Sequence, residues 1–242
     1  ICKNWILNPH PTLIPAIESG WVESVHCFGG ELGMEAYVAS RRDVFFTGKD
    51  GSLRSNRTLA QLAGQYAVDL FIGSTLQMDA YGNSTTVTKG RVAGYGGAPN
   101  MGHDPGGRRH STPAWYNMMT SDDPLARGKK LVVQVAETFQ DANSPVFVES
   151  LDAISVKDQA NLAVAPVMIY GEDVTHIVTE EGIAYLYKTD SIAERREMIS
   201  SIAGVTPIGM EYNAKTAQKL RERNLIATPE DLGIRRADAN RS

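Results

Sequence analysis

The sequence predicts an α/β fold with a mixed or largely parallel sheet flanked by helices. Short runs of β-branched and aliphatic residues alternate with segments of helical periodicity along the 242 residues, a pattern typical of α/β domains with active loops at the strand ends. The chain is 42% hydrophobic and 21% charged, enough to bury a substantial core. A glycine-rich loop interrupts the alternation over residues 90–107. We expect one domain over residues 1–242, with a frayed polar tail at 235–242.

The first ninety residues are predicted to alternate short helices and strands. A helix over residues 13–19 ends at Gly20, and an extended strand over 21–28 follows it. The further elements before the glycine loop are predicted from turn signals and hydrophobic spacing. They are a strand within 43–48, a helix opened by Ser55 or Asn56, a buried strand over 68–72 and a hairpin around 84–88.

The chain after the glycine loop is predicted to contain four more strands and two helices. The run Leu-Val-Val-Gln-Val at 131–135 lacks alternation, which indicates a strand buried on both faces. Ser191 and Glu194 form a capping box that opens a helix ended by Gly204, with Ile192 on its apolar face. The other elements are strands at 146–151, 165–169 and 174–178, a turn at 171–173 and a helix with a solvated face at 214–223.

The glycine-rich loop is the strongest candidate for a binding segment. Seven glycines fall within the eighteen residues from Gly90 to Gly107, so the loop has few side chains that could hold it by burial. In the run from Gly94 to Gly97, consecutive backbone N–H groups can point at one oxygen atom or phosphate. Arg108 and Arg109 follow closely. A long solvated connection remains the alternative.

Glu31 is the candidate for a reactive carboxylate. It lies in the run Gly29-Gly30-Glu31-Leu32-Gly33, directly after the predicted strand at 21–28. Glycines on both sides allow a substrate to approach the backbone and the carboxylate closely. On position alone, an exposed glutamate in a turn is the alternative.

The bulk properties argue against several classes of function. A formal charge of −4 provides no positive electrostatic field that would attract nucleic acid. No apolar run approaches the length of a membrane span. Two cysteines are too few for a disulfide framework and match a reducing cytoplasm. His26 and Cys27 are neighbours on a predicted strand and face opposite ways, so we expect no metal there. The start at Ile1 suggests a fragment.

Four motifs occur in an order that resembles a known group of enzymes. They are Glu31-Leu32-Gly33, Asp69-Leu70-Phe71-Ile72-Gly73, the turn from Gln77 to Asn83 and Gly94-Tyr95-Gly96-Gly97. The chain is similar to the glutamate-dependent CoA-transferase superfamily, although Gly-Glu-Leu-Gly replaces the commoner Ser-Glu-Asn-Gly. Several stretches resemble, more narrowly, the alpha subunits of malonate decarboxylases. These stretches are 52–56, 98–102, 107–110, 174–182 and 207–211, so the resemblance covers most of the chain.

The resemblance implies a CoA-transferase-like domain that forms the carboxyl-terminal half of a longer subunit. It implies a transferase that exchanges acetyl for malonyl on the thiol of an acyl carrier protein, through an anhydride and a thioester of its own glutamate. No cofactor is bound permanently, because the carrier brings a CoA-like prosthetic group. The implied partners are the carrier, malonate and acetate, the other decarboxylase subunits and an absent amino-terminal half, all in the cytoplasm.

The same resemblance assigns roles to particular residues. Glu31 is the implied catalytic nucleophile. The implied oxyanion and thioester-binding residues are Gly94, Gly96 and Gly97. The residues expected to bind substrate or phosphate are Arg54, Asn56, Arg108 and Arg109. Carboxylate nucleophiles and a thiolate leaving group need little proton transfer, so we assign no role to the histidines of the loop.

Three other functions remain open from the sequence. One is a small-molecule CoA transferase that uses free CoA, and another is an inactive assembly fragment that lacks its other half. The third is a dinucleotide-binding domain, suggested by the glycines alone. Gly94 to Gly97 lacks the Gly-x-Gly-x-x-Gly spacing, and Pro99 opposes the helix that should follow.

Overall fold

The computed structural model describes residues 3–27, 33–48, 70–93, 131–189 and 191–234. The chain divides into two compact units, Ile1–Val68 and Asp69–Ser242. The expectation of a single domain over residues 1–242 stays a prediction. Both the helix expected after Ser55 or Asn56 and the frayed tail at 235–242 lie outside the described residues.

The first unit contains a parallel sheet of three short strands. Its strands are β1 (Asn4–Ile6), β2 (Ser24–His26) and β3 (Phe45–Phe46), in that order across the sheet. The connections between them contain helix α1 (Ile14–Glu18), preceded by a 3₁₀ turn at Pro11–Leu13, and helix α2 (Glu35–Ser40). A parallel pair needs such a crossover, so the local helix and strand signals give this topology.

Apolar side chains from all these elements form the core of the first unit. Val25 of β2 is fully buried and belongs to one cluster with Ile17 of α1 and Val38 of α2. At the surface, the Arg41 guanidinium bonds to the carboxylates of Glu18 and Asp43 and so joins the ends of the two helices. The predicted helix at 13–19 is confirmed, and the strands at 21–28 and 43–48 are confirmed in shorter form.

The second unit is organised around a mixed sheet of five strands, in the order β15-β14-β13-β9-β4. Neighbours β4, β9 and β13 run parallel, whereas β13, β14 and β15 pair antiparallel. The predicted fold class is therefore confirmed. The strands are β4 (Leu70–Ser74), β9 (Leu131–Val135), β13 (His176–Thr179), β14 (Gly182–Ala184) and β15 (Ile226–Ala227).

Smaller β structures follow β4 and β9 in the chain. One sheet has the order β12-β5-β6, in which β5 pairs parallel with β12 and antiparallel with β6. Two hairpins, β7–β8 and β10–β11, complete the strands of the described part. Their bounds are β5 (Gln77–Asp79), β6 (Ser84–Thr85), β7 (Val87–Thr88), β8 (Arg91–Val92), β10 (Phe139–Asp141), β11 (Ser144–Pro145) and β12 (Phe147–Val148).

The described part of the second unit also contains three α-helices, each capped by a polar side chain. They are α3 (Ala153–Ala160), α4 (Ile192–Ser200) and α5 (Ala214–Glu222). Asp152, Ser191 and Asn213 accept hydrogen bonds from the first-turn N–H groups of α3, α4 and α5 respectively. Such caps satisfy donors that a helix leaves open. The predicted helix at 214–223 is confirmed and the one at 191–204 is confirmed in shorter form, whereas α3 was not predicted.

The core of the second unit lies on one face of the five-stranded sheet. Val132 of β9 and Ile177 of β13 are fully buried there, together with Ile199 of α4 and Leu220 of α5. The other face is more open. The prediction that β9 is buried on both faces is wrong, because Leu131 is 42% and Val135 is 41% exposed. An unbroken apolar run does not show which of its faces a neighbour covers.

Other local predictions also fail, because pairing and burial depend on residues that are distant in sequence. Residues 165–169 form no strand, and Ile169 makes one isolated antiparallel bridge to Ser84. Ile192 was assigned to the apolar face of its helix but is 68% exposed. The residues at 146–151 contribute only the two-residue strand β12. Hydrophobic spacing therefore located most elements, but their burial depends on neighbours that are distant in sequence.

Candidate functional site

The carboxyl ends of three parallel strands meet at one edge of the five-stranded sheet. Ser74, the last residue of β4, pairs with Val135, the last residue of β9, and Val135 pairs in turn with Val178 near the end of β13. In open α/β sheets, ligands bind in the crevice outside this edge. The candidate site is therefore built from the segments that follow β4, β9 and β13.

Glu180 joins two of these segments. Its carboxylate accepts hydrogen bonds from the backbone N–H of Thr138, 3.1 Å from each oxygen, and from the Thr138 hydroxyl at 2.5 Å. Thr138 is 5% exposed. Since the carboxylate oxygens are committed to this link, Glu180 is a brace between the segments after β9 and β13 and a poor candidate for a base.

The turn from Gln77 to Asn83, one of the four motifs, is organised by a buried carboxylate. Asp79 is 1% exposed. Its Oδ1 accepts from the backbone N–H groups of Tyr81 and Asn83, both at 2.9 Å. Its Oδ2 accepts from Asn83 Nδ2 at 2.8 Å and from the backbone N–H of Leu151 at 3.0 Å. Four donors leave Asp79 no capacity for chemistry, so its role is to fix the turn.

The same turn is locked against a distant glycine. Asn83 Oδ1 accepts from the backbone N–H of Gly171 at 2.9 Å, and the Gly171 carbonyl accepts from Arg195 Nη1 at 2.5 Å. A Cβ atom on Gly171 would lie 2.1 Å from the Tyr81 carbonyl oxygen. Only glycine fits this close approach, and it attaches the motif to helix α4 through Arg195.

A tight hairpin leads directly to the glycine-rich loop. Thr88 of β7 pairs with Arg91 of β8 across a two-residue turn of Lys89 and Gly90, and Gly90 has a φ of +79°. The hairpin is fastened by a hydrogen bond of 2.9 Å from the Ala93 N–H to the Thr86 carbonyl. The described segment that contains this hairpin ends at residue 93, immediately before Gly94.

The hairpin is also fastened to the edge of the sheet through Gln140. Arg91 Nη1 donates to Gln140 Oε1 at 3.2 Å, and Gln140 Nε2 donates to the Leu76 carbonyl at 2.6 Å. Leu76 lies two residues after β4. The approach to the glycine-rich loop is thus held beside the carboxyl edge where the strands end. Sequence reasoning missed Arg91, although its place three residues before Gly94 was visible.

All the site residues predicted from sequence lie outside the described residues. They are Glu31, Arg54, Asn56, Gly94, Gly96, Gly97, Arg108 and Arg109. Their assignments stay predictions. The described residues fix only the chain on either side of Glu31 and the chain that leads to Gly94.

The segment before Glu31 follows strand β2 of the first unit. His26, the last residue of β2, stacks on Phe46 of β3 with ring centroids 4.3 Å apart and an angle of 6° between the rings. Burial lowers the pKa of His26 and raises the pKa of Cys27 to about 11. At neutral pH both side chains are therefore uncharged, and the Cys27 thiol is a weak nucleophile.

Gln134 is a buried amide for which the described residues supply no hydrogen-bond partner. It lies one residue before the end of β9 and is 1% exposed, and neither Oε1 nor Nε2 has a partner there. Gly73 faces it across the β4–β9 pair. An unsatisfied buried polar group costs free energy, and nothing in the sequence pattern distinguished this glutamine from a packing residue.

We expect Gln134→Met to stabilise the second unit. Methionine has a similar length and carries no group that needs a hydrogen bond, so the free energy of unfolding should rise by about 1 kcal/mol. Chemical denaturation would measure the change. The matched control is Gln140→Met, which should destabilise the protein because it removes the bonds to Leu76 and Arg91. A loss of stability in Gln134→Met would contradict the expectation.

No metal centre or membrane span emerges from the described part of the chain. Its His, Cys, Asp and Glu side chains form no group of three or more that could hold a metal ion. Within the described ranges, each helix is too short or too polar to cross a bilayer.

Comparison with known proteins identifies the family. The family model for the malonate decarboxylase alpha subunit, described as a transporter, matches residues 1–242. The chain belongs to this family. It is 57% identical over 249 aligned residues to the acetyl-S-ACP:malonate ACP transferase of Malonomonas rubra, with 100% of this chain and 45% of that protein covered.

Two solved structures of malonate decarboxylases resemble the chain closely. One is a Pseudomonas malonate decarboxylase hetero-tetramer in complex with malonate, with 68% identity, a TM-score of 0.81 and 99% of this chain covered. The other is the alpha subunit from Acinetobacter baumannii, with 67% identity, a TM-score of 0.79 and 97% covered. In both, the match covers 44% of the other chain. This chain thus spans less than half the length of these relatives.

Proposed function

We propose that this chain performs the acyl exchange of a malonate decarboxylase alpha subunit, replacing acetyl by malonyl on the thiol of an acyl carrier protein. The supporting observation is the 57% identity, over the whole chain, to a protein named acetyl-S-ACP:malonate ACP transferase. The four motifs present in order also support the proposal. The proposal classifies the chain as a transferase.

In the proposed reaction, the Glu31 carboxylate first takes the acetyl group. One carboxylate oxygen attacks the acetyl thioester carbonyl, the C–S bond breaks, and a mixed anhydride and the carrier thiolate result. The thiolate then attacks the glutamyl carbonyl of the anhydride. This step forms a glutamyl thioester and releases acetate, so the energy of the thioester is conserved.

The second half of the reaction repeats these steps with malonate. A malonate carboxylate attacks the glutamyl thioester and releases the thiolate, which gives an anhydride between malonate and Glu31. The thiolate attacks the malonyl carbonyl of this anhydride, forms the malonyl thioester and restores the Glu31 carboxylate. Each attack places negative charge on a carbonyl oxygen. We assign its stabilisation to the N–H groups of Gly94, Gly96 and Gly97, at about 3 kcal/mol per donor.

The remaining assignments belong to the same proposal. Arg54, Asn56, Arg108 and Arg109 bind malonate or the phosphate of the carrier's prosthetic group, since guanidinium groups pair with both kinds of anion. The CoA-like group belongs to the carrier, and no permanently bound cofactor is needed. We place the reaction in the cytoplasm, consistent with only two cysteines in the chain. The partners are the carrier protein, the other decarboxylase subunits and an amino-terminal half of the subunit.

Labelled substrates test the proposed exchange directly. The protein is incubated with acetyl-labelled carrier protein and malonate. It is used together with any further chain and subunits that it has in the cell. We expect release of labelled acetate together with formation of malonyl carrier. A parallel reaction replaces the acetyl carrier by acetyl-CoA. Equal or faster exchange with acetyl-CoA would instead favour a small-molecule CoA transferase, and no exchange in either reaction would contradict both functions.

A further inference from the structure

Arg91 is a cation that has no carboxylate partner in the described part of the chain. Within these residues its guanidinium makes one hydrogen bond, from Nη1 to Gln140 Oε1. Four other described arginines, Arg41, Arg196, Arg221 and Arg223, do pair with carboxylates. A guanidinium offers five N–H donors in a fixed plane. Within the described residues, most donors of Arg91 are therefore open to a ligand.

The guanidinium of Arg91 is nevertheless held in position. At its backbone, Arg91 is fixed by the pairing with Thr88 in the β7–β8 hairpin. At the tip of the Arg91 side chain, Gln140 Oε1 accepts one N–H of the guanidinium. Gln140 Nε2 in turn donates to the Leu76 carbonyl at 2.6 Å. A side chain restrained before binding loses less entropy when a ligand arrives. A restrained cation to which the described residues bring no carboxylate is suited to binding an anion.

The donors left open by Gln140 have a useful geometry. Gln140 occupies Nη1, so Nε and Nη2 remain, and this edge of a guanidinium forms two parallel hydrogen bonds to a carboxylate. The edge belongs to an exposed residue that Gln140 connects to Leu76, just after the carboxyl end of β4. Because ligands of α/β sheets bind outside this edge, Arg91 is placed to meet a substrate.

We propose that Arg91 binds the second carboxylate of a dicarboxylic acyl acceptor through Nε and Nη2. The inference rests on the proposed function, in which the acceptor attacks with one carboxylate. A dicarboxylic acid such as malonate must keep its other carboxylate bound and unreacted, whereas acetate has none. Arg91 therefore acts in selecting the acceptor. The same pair of donors also fits two oxygens of a phosphate, so the experiment must separate the acceptor from the carrier's prosthetic arm.

The test compares the variants Arg91→Gln and Lys89→Gln. Each is made in the protein together with any further chain and subunits that it has in the cell. Lys89 is exposed in the turn of the same hairpin, so both changes remove one positive charge from the same place. Two reactions are followed with one acetyl carrier: exchange with labelled acetate and conversion by malonate. In Arg91→Gln, we expect the KM for malonate to rise about 10- to 100-fold, as for lost charge-assisted hydrogen bonds. Exchange with acetate and all constants of Lys89→Gln should stay unchanged.

A conservative variant and the acetate arm make each outcome decisive. Arg91→Lys keeps the charge but loses the two-donor edge, so we expect a KM for malonate between those of wild type and Arg91→Gln. An equal loss with acetate and malonate would overturn the inference, because it places Arg91 on the carrier arm. An unchanged KM for malonate would also overturn it. If the unmodified protein exchanges neither acid, the proposed function itself fails.

Discussion

Replacing Glu31 by Gln is expected to abolish acyl exchange. The amide cannot form the anhydride on which both halves of the proposed reaction depend, so kcat should fall roughly a thousandfold or more. Rates with acetyl carrier protein and malonate would measure the loss. The control is Glu23→Gln, which changes an exposed carboxylate that pairs with Lys3. This variant should keep its activity.

Chemical trapping locates the nucleophile independently of the rate. Borohydride reduces a glutamyl thioester to an alcohol, so protein treated during turnover should carry the modification on the peptide that contains Glu31. Peptide mapping by mass spectrometry would show the position. Modification of Glu23 or Glu35, or no modification at all, would contradict the assignment of Glu31 even if Glu31→Gln were inactive.

Among the substitutions of described residues, Asp79→Ala is expected to cause the largest loss of stability. The substitution removes the acceptor of four hydrogen bonds and leaves buried N–H groups of the turn and of Leu151 without partners. A buried network of this kind should lower the free energy of unfolding by about 4 kcal/mol. Denaturation by urea, followed by far-UV circular dichroism, would measure it.

A second aspartate in a turn provides the control for Asp79. Asp141 is exposed and accepts from the Asn143 N–H and the Ser144 hydroxyl, at 2.9 and 3.0 Å. Water can replace these bonds, so Asp141→Ala should destabilise the protein much less. Similar losses for the two variants would show that neither burial nor the larger number of donors makes Asp79 more important than Asp141. A loss of less than about 1 kcal/mol in Asp79→Ala would contradict the structural role given to this motif residue.

Sequence patterns predicted local structure where the signal is local. The cap at Ser191 identified the start of α4, and Gly20 ended the first helix as predicted. Helix α3 was missed although Asp152 is a good N-cap residue that accepts from Ile154 and Ser155. The helix buries only Val156, so hydrophobic periodicity was absent. The predicted strand at 165–169 was wrong because apolar residues there meet other elements without joining a sheet ladder.

The sequence by itself determined the family, the α/β class and the order of the four motifs, because these depend on residue types at short spacings. It also supplied the predictions of Glu31 as nucleophile and of the glycine-rich loop as the oxyanion site. Only the tertiary structure decided that Asp79 is a structural carboxylate, since one of its donors, Leu151, is 72 residues away in the chain. Only the structure showed that Arg91 is braced by Gln140 while no described carboxylate pairs with it. Hydrogen bonds between distant segments form when the strands assemble, and no local pattern encodes them.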